Sequence, residues 1–467
     1  MKVFNTLDCF ILIFLTIIAL MTRIWLISSI DSITFDEVYF GNFTNYYINR
    51  TYFHDIHPPL AKLTMAFIAY LTGYKGTIDF NHKSKYYYSH DEINYVSLRL
   101  TPAVFQSFCF PLIFASLRCL NFRTFTAFSA AFSLLFEPSI LTEGRFILSD
   151  GLLHFYSCLN VFAVTLYIQD FTTHLSWFAS LTLGAAISCK HTAFGLIALN
   201  AIVHFIWIYK YKPLLQEVVK KALQFLFSMI FIFFFTYFIH FIILIYDGPG
   251  TDYMRDSDQI TFLKESSFRG LLLMGPSLLS RTIYLTFLTF AGHMSVMKEH
   301  PYESKPQYWP LLLDKAMCFT RFENRSVMCI GSPLIYWPST FSLIVTFVCL
   351  IMSKKTDYRH FFLLFGWSVS YFPFFLIPRS MFLYHYIIPL IFSVMCQAAI
   401  IESLFARRYP FIQYFLHWLM NFSGIASYII WYPIVYGTEC NDCLAIREWF
   451  SCWSLSSRGA VTTNSTM

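Results

Sequence analysis

Apolar residues along this chain are gathered into runs about as long as a bilayer is thick. Such runs lie near residues 7–27, 97–117, 123–141, 152–169, 176–190, 192–209, 222–245, 334–352, 360–378, 380–402 and 414–436. A stretch of about 20 apolar residues makes a helix that crosses the hydrocarbon core. The pattern therefore predicts eleven membrane helices, with two of them nearly touching in the 176–209 region.

The polar positions between the runs test that count. Arg118 and Arg123 separate the second and third runs, and Lys210, Lys212, Lys220 and Lys221 separate the sixth and seventh. Lys354, Lys355 and Arg359 follow the eighth, and Arg407 and Arg408 follow the tenth. All of these loops share one side if the helices are threaded from a cytosolic N-terminus, as the positive-inside rule requires. The other side receives residues 28–96, 142–151, the Cys189–His191 turn, 246–333, Pro378–Arg379 and a lumenal C-terminal tail. Glycosylation sequons at Asn42, Asn49, Asn324 and Asn464 fall on that side, while Asn421 lies in or near the last run and is expected to stay bare. The first run has no small-residue cleavage site after it, so it is expected to be an uncleaved span. The chain thus divides into an N-terminal membrane half (1–246) with a long first loop (28–96), a second long loop (247–333), and a C-terminal membrane half with its tail (334–467).

Composition agrees. Of 467 residues, 57% are hydrophobic and 13% charged, with a mean hydropathy of +0.54. Soluble domains carry about a quarter charged residues. The solvent is largely lipid, and one many-spanning α-helical domain replaces the three soluble domains that length alone would allow. A net charge of +6 would suit a nucleic-acid partner, but the cations sit in short clusters between apolar runs, where they act as insertion signals. The twelve cysteines form no repeated metal-ligand pattern. Cys440-x-x-Cys443 lacks a second pair, so no structural metal is expected. Cys318 and Cys329 share the second long loop, where a disulfide and two free thiols weigh almost equally.

Charge placement then points to chemistry. Arg99, Glu137, Glu143, Arg145, Asp150, Lys190, His191, Arg379 and His385 all lie at run ends on the non-cytosolic side, together with the adjacent Asp36 and Glu37. Taken singly, each is more often a snorkelling or helix-pairing residue. Together they suit an anion carried by a lipid, since an arginine fork binds phosphate oxygens bidentately and stays charged. A sugar on a lipid phosphate leaves without needing a proton, so one carboxylate acting as base on an incoming hydroxyl suffices, with inversion at the sugar. Asp36 and Glu37 are adjacent, so only one of them can face the substrate. A transporter would explain the same composition, but it predicts charges near run centres and paired repeats, and neither is present.

Several phrases carry a resemblance. FDEVYFGNF…YYINRTYFHDIHPPLAKL, SLRLTPAVF, EPSILTEGRFILSDGLLHF, GAAISCKHTAFG, DGPGTDYM, HPYESKPQYWPLLL, IGSPLIYW and GWSVSYFPFFLIPRSMFLYHYIIPL resemble, in order, segments of the dolichyl-phosphate-mannose–protein mannosyltransferases, the protein O-mannosyltransferase family. The resemblance implies a GT-C glycosyltransferase fold, an endoplasmic reticulum membrane, and mannosyl transfer from dolichyl phosphate mannose to Ser/Thr hydroxyls of proteins. No cofactor or metal is implied, and the implied partner is a second copy or a family paralogue in a dimer. It assigns Asp36 as catalytic base with Glu37 beside it, and His57, Pro58 and Pro59 as shapers of the loop. Arg99, Arg145, Lys190, Arg379 and His385 are assigned to the lipid phosphate and mannose, with Asp150 orienting Arg145. For Arg99 the expected partner is the donor phosphate rather than the acidic pair. The chain departs from the family at His191, Pro378 and Tyr384, and residues 247–333 are too few for the family's usual β-trefoil. Those departures leave open an inactive partner subunit, and another polyprenyl-phosphate-sugar transferase is the nearer enzymatic alternative.

Overall fold

The computed structural model describes residues 4–81, 94–255, 277–295, 300–322, 324–352, 357–440, 443–453 and 455. Asn464, Lys354 and Lys355 lie outside the described residues. Every predicted run falls on a helix: α1 (Thr6–Ile24), α4 (Asn94–Ser107) continued by α5 (Cys109–Cys119), α6 (Thr124–Leu135), α8 (Asp150–Gln169), α9 (Thr173–Ile187), α10 (Gly195–Tyr211), α11 (Leu215–Ile243), α13 (Pro333–Met352), α14 (Tyr358–Tyr371), α15 (Ile387–Phe405) and α16 (Pro410–Tyr436). Between them lie α2 (Glu37–Ile48) and α3 (Leu60–Leu71) in the first long loop, the short α7 (Pro138–Glu143), and α12 (Ser277–Ser295) in the second long loop. Among the described residues seven helical segments are long and apolar enough to cross a membrane. The remaining runs hold shorter helices, or in α16 a helix carrying Gln413, His417 and Asn421. The chain is a multi-pass, all-α membrane protein.

Local chemistry explains individual ends. Asn5 accepts a hydrogen bond from the Asp8 amide (2.8 Å) while Asp8 accepts from the Asn5 amide (3.0 Å), a reciprocal cap that starts α1. Pro138 sits in the first turn of α7, where its missing N–H has no helical partner to lose. The one hairpin among the described residues, β1 (Met317–Arg321) with β2 (Ser326–Cys329), packs its second strand on α7 and α16. Cys318 and Cys329 are free thiols, so no disulfide joins them. Cys440 is disulfide-bonded.

The loops assigned to one side do meet at one end of the bundle. Tyr52 of the first loop and Tyr246 after α11 are joined by a backbone hydrogen bond of 2.9 Å, Leu60 bonds Ser188 (3.0 Å), and Ser332 donates to Glu137 (3.2 Å). The basic loops meet at the other end, where Arg118 pairs with Asp8 (3.0 Å) and Glu402 accepts from the Arg123 amide (2.9 Å). Close approach near the first end depends on Gly195, where a Cβ would lie 2.2 Å from the Val369 carbonyl oxygen. That contact lets the start of α10 pass the end of α14, and so brings the Lys190 and Arg379 loops together.

Candidate active site

Asp36 and Glu37 stand at the start of α2, and the backbone decides which of them looks inward. Phe35 is held at φ +52°, a left-handed conformation that bulky residues seldom adopt. Its ring compensates by stacking on Phe319, with ring centroids 4.4 Å apart. After this reversal Asp36 is the half-buried N-cap residue of α2, and Glu37 is fully buried.

Glu37 is completely engaged. Its Oε1 accepts from Arg99 Nε (2.7 Å) and the Ile147 amide (3.1 Å), and its Oε2 from Arg99 Nη2 (2.8 Å) and the Thr34 amide (2.9 Å). Arg99, also fully buried, donates further to the carbonyls of Ile27 (3.2 Å), Ser32 (3.1 Å) and Ile30. The expectation that Arg99 would meet the donor phosphate is corrected: its anionic partner is Glu37, and both hold the first loop's shape. A guanidinium with five donors is suited to this because it saturates several carbonyls and one carboxylate together.

Arg145 is corrected in the same way. It donates to the carbonyls of Arg23 (2.8 Å), Trp25 (2.6 Å) and Leu26 (2.9 Å), and its guanidinium lies over the Tyr436 ring at 4.2 Å. It therefore terminates α1, whose last carbonyls have no helical partners. Burial lowers its pKa to about 10, which leaves it cationic at neutral pH. Asp150 does not orient Arg145. It pairs with Lys190, whose Nζ lies 3.0 and 3.2 Å from its two oxygens.

The rest of the expected set does assemble. Lys190 Nζ sits over the Tyr384 ring at 5.3 Å, and the His385 ring stacks on Tyr384 with centroids 4.5 Å apart. His385 Nδ1 is held by the Phe382 backbone (3.0 Å). Half-buried Arg379 stands within electrostatic reach of Tyr384 and Asp36, and burial draws its guanidinium down while those two neighbours oppose the shift. His57 and Pro58 act at one remove. Lys62 pairs with Asp55 and donates to the His57 carbonyl (2.7 Å), and the Leu60–Ser188 bond docks this turn two residues from Lys190. Asp55 and Lys62 were not singled out from sequence, although both stand in the first-loop phrase.

Glu143, like Glu137 and His191, was singled out in sequence as a charge on the non-cytosolic side but given no role. It ends α7, is fully buried, and neither carboxyl oxygen is hydrogen-bonded by an N–H or O–H group. Burial pushes its carboxyl well above the ordinary carboxylate range, Asp150 and Asp36 push the same way, and Lys190 and the Cys329 thiol oppose them. Burial and the two neighbouring carboxylates both favour its protonated form.

An acidic residue at the start of α2, cations on facing loops and a bundle of membrane helices form a candidate site at one end of the membrane domain. Comparison narrows that. The family model described as dolichyl-phosphate-mannose-protein mannosyltransferase matches residues 13–246, and that for the C-terminal four-helix region of protein O-mannosyltransferase matches 278–453. The chain belongs to the protein O-mannosyltransferase family. Among curated relatives, dolichyl-phosphate-mannose–protein mannosyltransferase 4 of Candida albicans is 30% identical over 266 residues, 53% of this chain and 35% of the relative. The match thus spans about a third of that relative's length. The fold matches that of a chain in the S. cerevisiae protein O-mannosyltransferase Pmt1-Pmt2 complex bound to the sugar donor, with a TM-score of 0.82, 18% identity, and 96% and 93% of the two chains covered. The Archaeoglobus fulgidus oligosaccharyltransferase AglB aligns at a TM-score of 0.56 with 12% identity, covering 93% of this chain and 56% of that one.

Proposed function

We propose that this chain transfers mannose from dolichyl phosphate mannose to Ser/Thr hydroxyls of proteins on the lumenal face of the endoplasmic reticulum membrane. Asp36 accepts the proton of the incoming hydroxyl as its oxygen bonds to the anomeric carbon. The bond from that carbon to the phosphate oxygen breaks, its electron pair leaves with dolichyl phosphate, and the anomeric configuration inverts. Arg379 and Lys190 face the leaving phosphate, with His385 placed behind Tyr384, so that its charge is met by side-chain cations and no metal is required. Partners follow the family: the solved yeast relative is a complex of two such chains, and this chain is proposed to pair with a paralogue or a second copy of itself.

One observation carries the reading. Glu37 is saturated by Arg99 and two amides, whereas Asp36 stands within electrostatic reach of Arg379, Tyr384 and Glu143. The test is transfer of radiolabelled mannose from dolichyl phosphate mannose to a Ser/Thr-rich peptide by membranes containing this chain, alone and with a paralogue. Transfer by the chain alone supports an active catalytic subunit. Transfer that requires the paralogue and survives Asp36→Asn makes this chain the partner subunit, and no transfer in either case overturns the reading.

A further inference from the structure

The end of α10, the start of α11 and the loop between them carry four lysines, Lys210, Lys212, Lys220 and Lys221, and fixing topology does not explain the shape of this region. α8 starts beside Lys190 and runs 20 residues, about 30 Å at 1.5 Å per residue, to its far end. There the ends of α8 and α10 and the starts of α9 and α11 enclose a cavity of about 690 Å³ lined in part by Phe171, Trp177, Trp207, Tyr211, Lys220 and Lys221. One hydrocarbon thickness from the catalytic end, it lies in the headgroup layer of the opposite leaflet.

We propose that this cavity binds the headgroup of an anionic phospholipid. Lys221 is half-buried, with its ammonium 4.2 Å over the Trp207 ring and donating to the Phe171 carbonyl (3.1 Å). Lys220 is exposed at the rim, and Lys210 stacks on Tyr211 at 5.1 Å and on Phe171 at 5.7 Å. Of the two carboxylates that line the cavity, Glu217 accepts the Leu214 amide (3.0 Å) as a helix cap and Asp170 is exposed. Cations between membrane helices, set among interfacial aromatics, recognise anionic headgroups.

The face of α11 above the cavity suits the rest of such a lipid. Gln224, Phe227, Phe231 and Phe235 continue the Lys220 position at spacings of three and four residues, one helix face. The three phenylalanines are 63%, 49% and 44% exposed, and their rings stack in sequence at 6.0 and 5.6 Å. A soluble anion has no use for that apolar track, whereas an acyl chain fills it.

The test is native mass spectrometry of the protein taken from nanodiscs of phosphatidylcholine mixed with phosphatidylserine. One phosphatidylserine should be retained in preference to phosphatidylcholine. Lys220→Gln and Lys221→Gln should each lower that retention about fivefold, the effect of one lysine near an anionic surface, while Lys305→Gln at the other end leaves it unchanged. If Lys221→Gln does not fold, exposed Lys220 carries the test. Equal retention of the two lipids, or a Lys220→Gln protein that holds phosphatidylserine as wild type does, overturns the proposal.

Discussion

Four cations at the Asp36 end of the bundle divide into two pairs. Arg99 and Arg145 are buried and face carbonyls from the end of α1 and the start of the first loop, with Glu37 completing the Arg99 set. Lys190 and Arg379 face Tyr384 and the region of Asp36. In sequence the four look alike, each a cation at the end of an apolar run. The difference is what surrounds the head group. Where the neighbours are backbone carbonyls of a helix end, the cation supports the fold, whereas Lys190 and Arg379 lie among aromatic faces and other charged side chains, with Asp150 holding Lys190.

That division is broken or sharpened most directly at the acidic pair. Asp36→Asn should lower mannosyl transfer by about two to four powers of ten, the usual contribution of a positioned base, with no loss of thermal stability in detergent. Transfer assays and melting curves on the same preparation check both halves.

Glu37→Ala should act through stability. It leaves the Arg99 charge buried against carbonyls alone, and breaking a buried pair costs about 3–5 kcal/mol. Arg99→Lys should also melt earlier, because an ammonium cannot bridge two carboxylate oxygens and three carbonyls, while the donor KM of the surviving protein stays at the wild-type value. A raised donor KM with unchanged melting would return Arg99 to the phosphate site.

For the second pair of cations the signature reverses. Arg379→Ala should raise the apparent KM for dolichyl phosphate mannose about tenfold, the loss of one charge-assisted hydrogen bond, and leave melting near wild type. Steady-state kinetics with varied donor checks it.

The smallest effect concerns Glu143. Its folded pKa is raised, so between the ordinary glutamate value of about 4.3 and its higher folded value the native state holds a proton that the unfolded chain has released. Stability is then fully present below the unfolded pKa and declines as pH rises through the folded one. Glu143→Gln keeps the shape without the titration, so its melting temperature should fall less with rising pH than that of wild type.

The positions of the membrane helices were legible in sequence because each must be apolar over its own length, a local property that burial in lipid imposes. The separation of the loops into two ends was legible for the same reason, and Lys190, Arg379 and His385, singled out in sequence, lie around Tyr384. Helix α12 was not foreseen, since Ser277–Ser295 mixes Ser, Thr and apolar residues without a continuous run. The partner of Asp150 was assigned wrongly, because Arg145 is near in sequence whereas Lys190, forty positions away, is near in space.

By itself, the sequence determined that this is a multi-pass helical membrane protein, which loops share an end, and which phrase carries the acidic pair. Only the tertiary structure decided that Glu37 anchors on Arg99 while Asp36 stands within electrostatic reach of Arg379, that Arg99 and Arg145 brace the end of α1, and that Glu143 is a buried carboxyl pushed above the ordinary carboxylate range. The reason is physical. Hydropathy is summed along one segment, but a charge's role depends on which carbonyls, carboxylates and rings surround it. For Arg99 and Arg145 the carboxylate and the carbonyls come from residues 62 to 123 positions away.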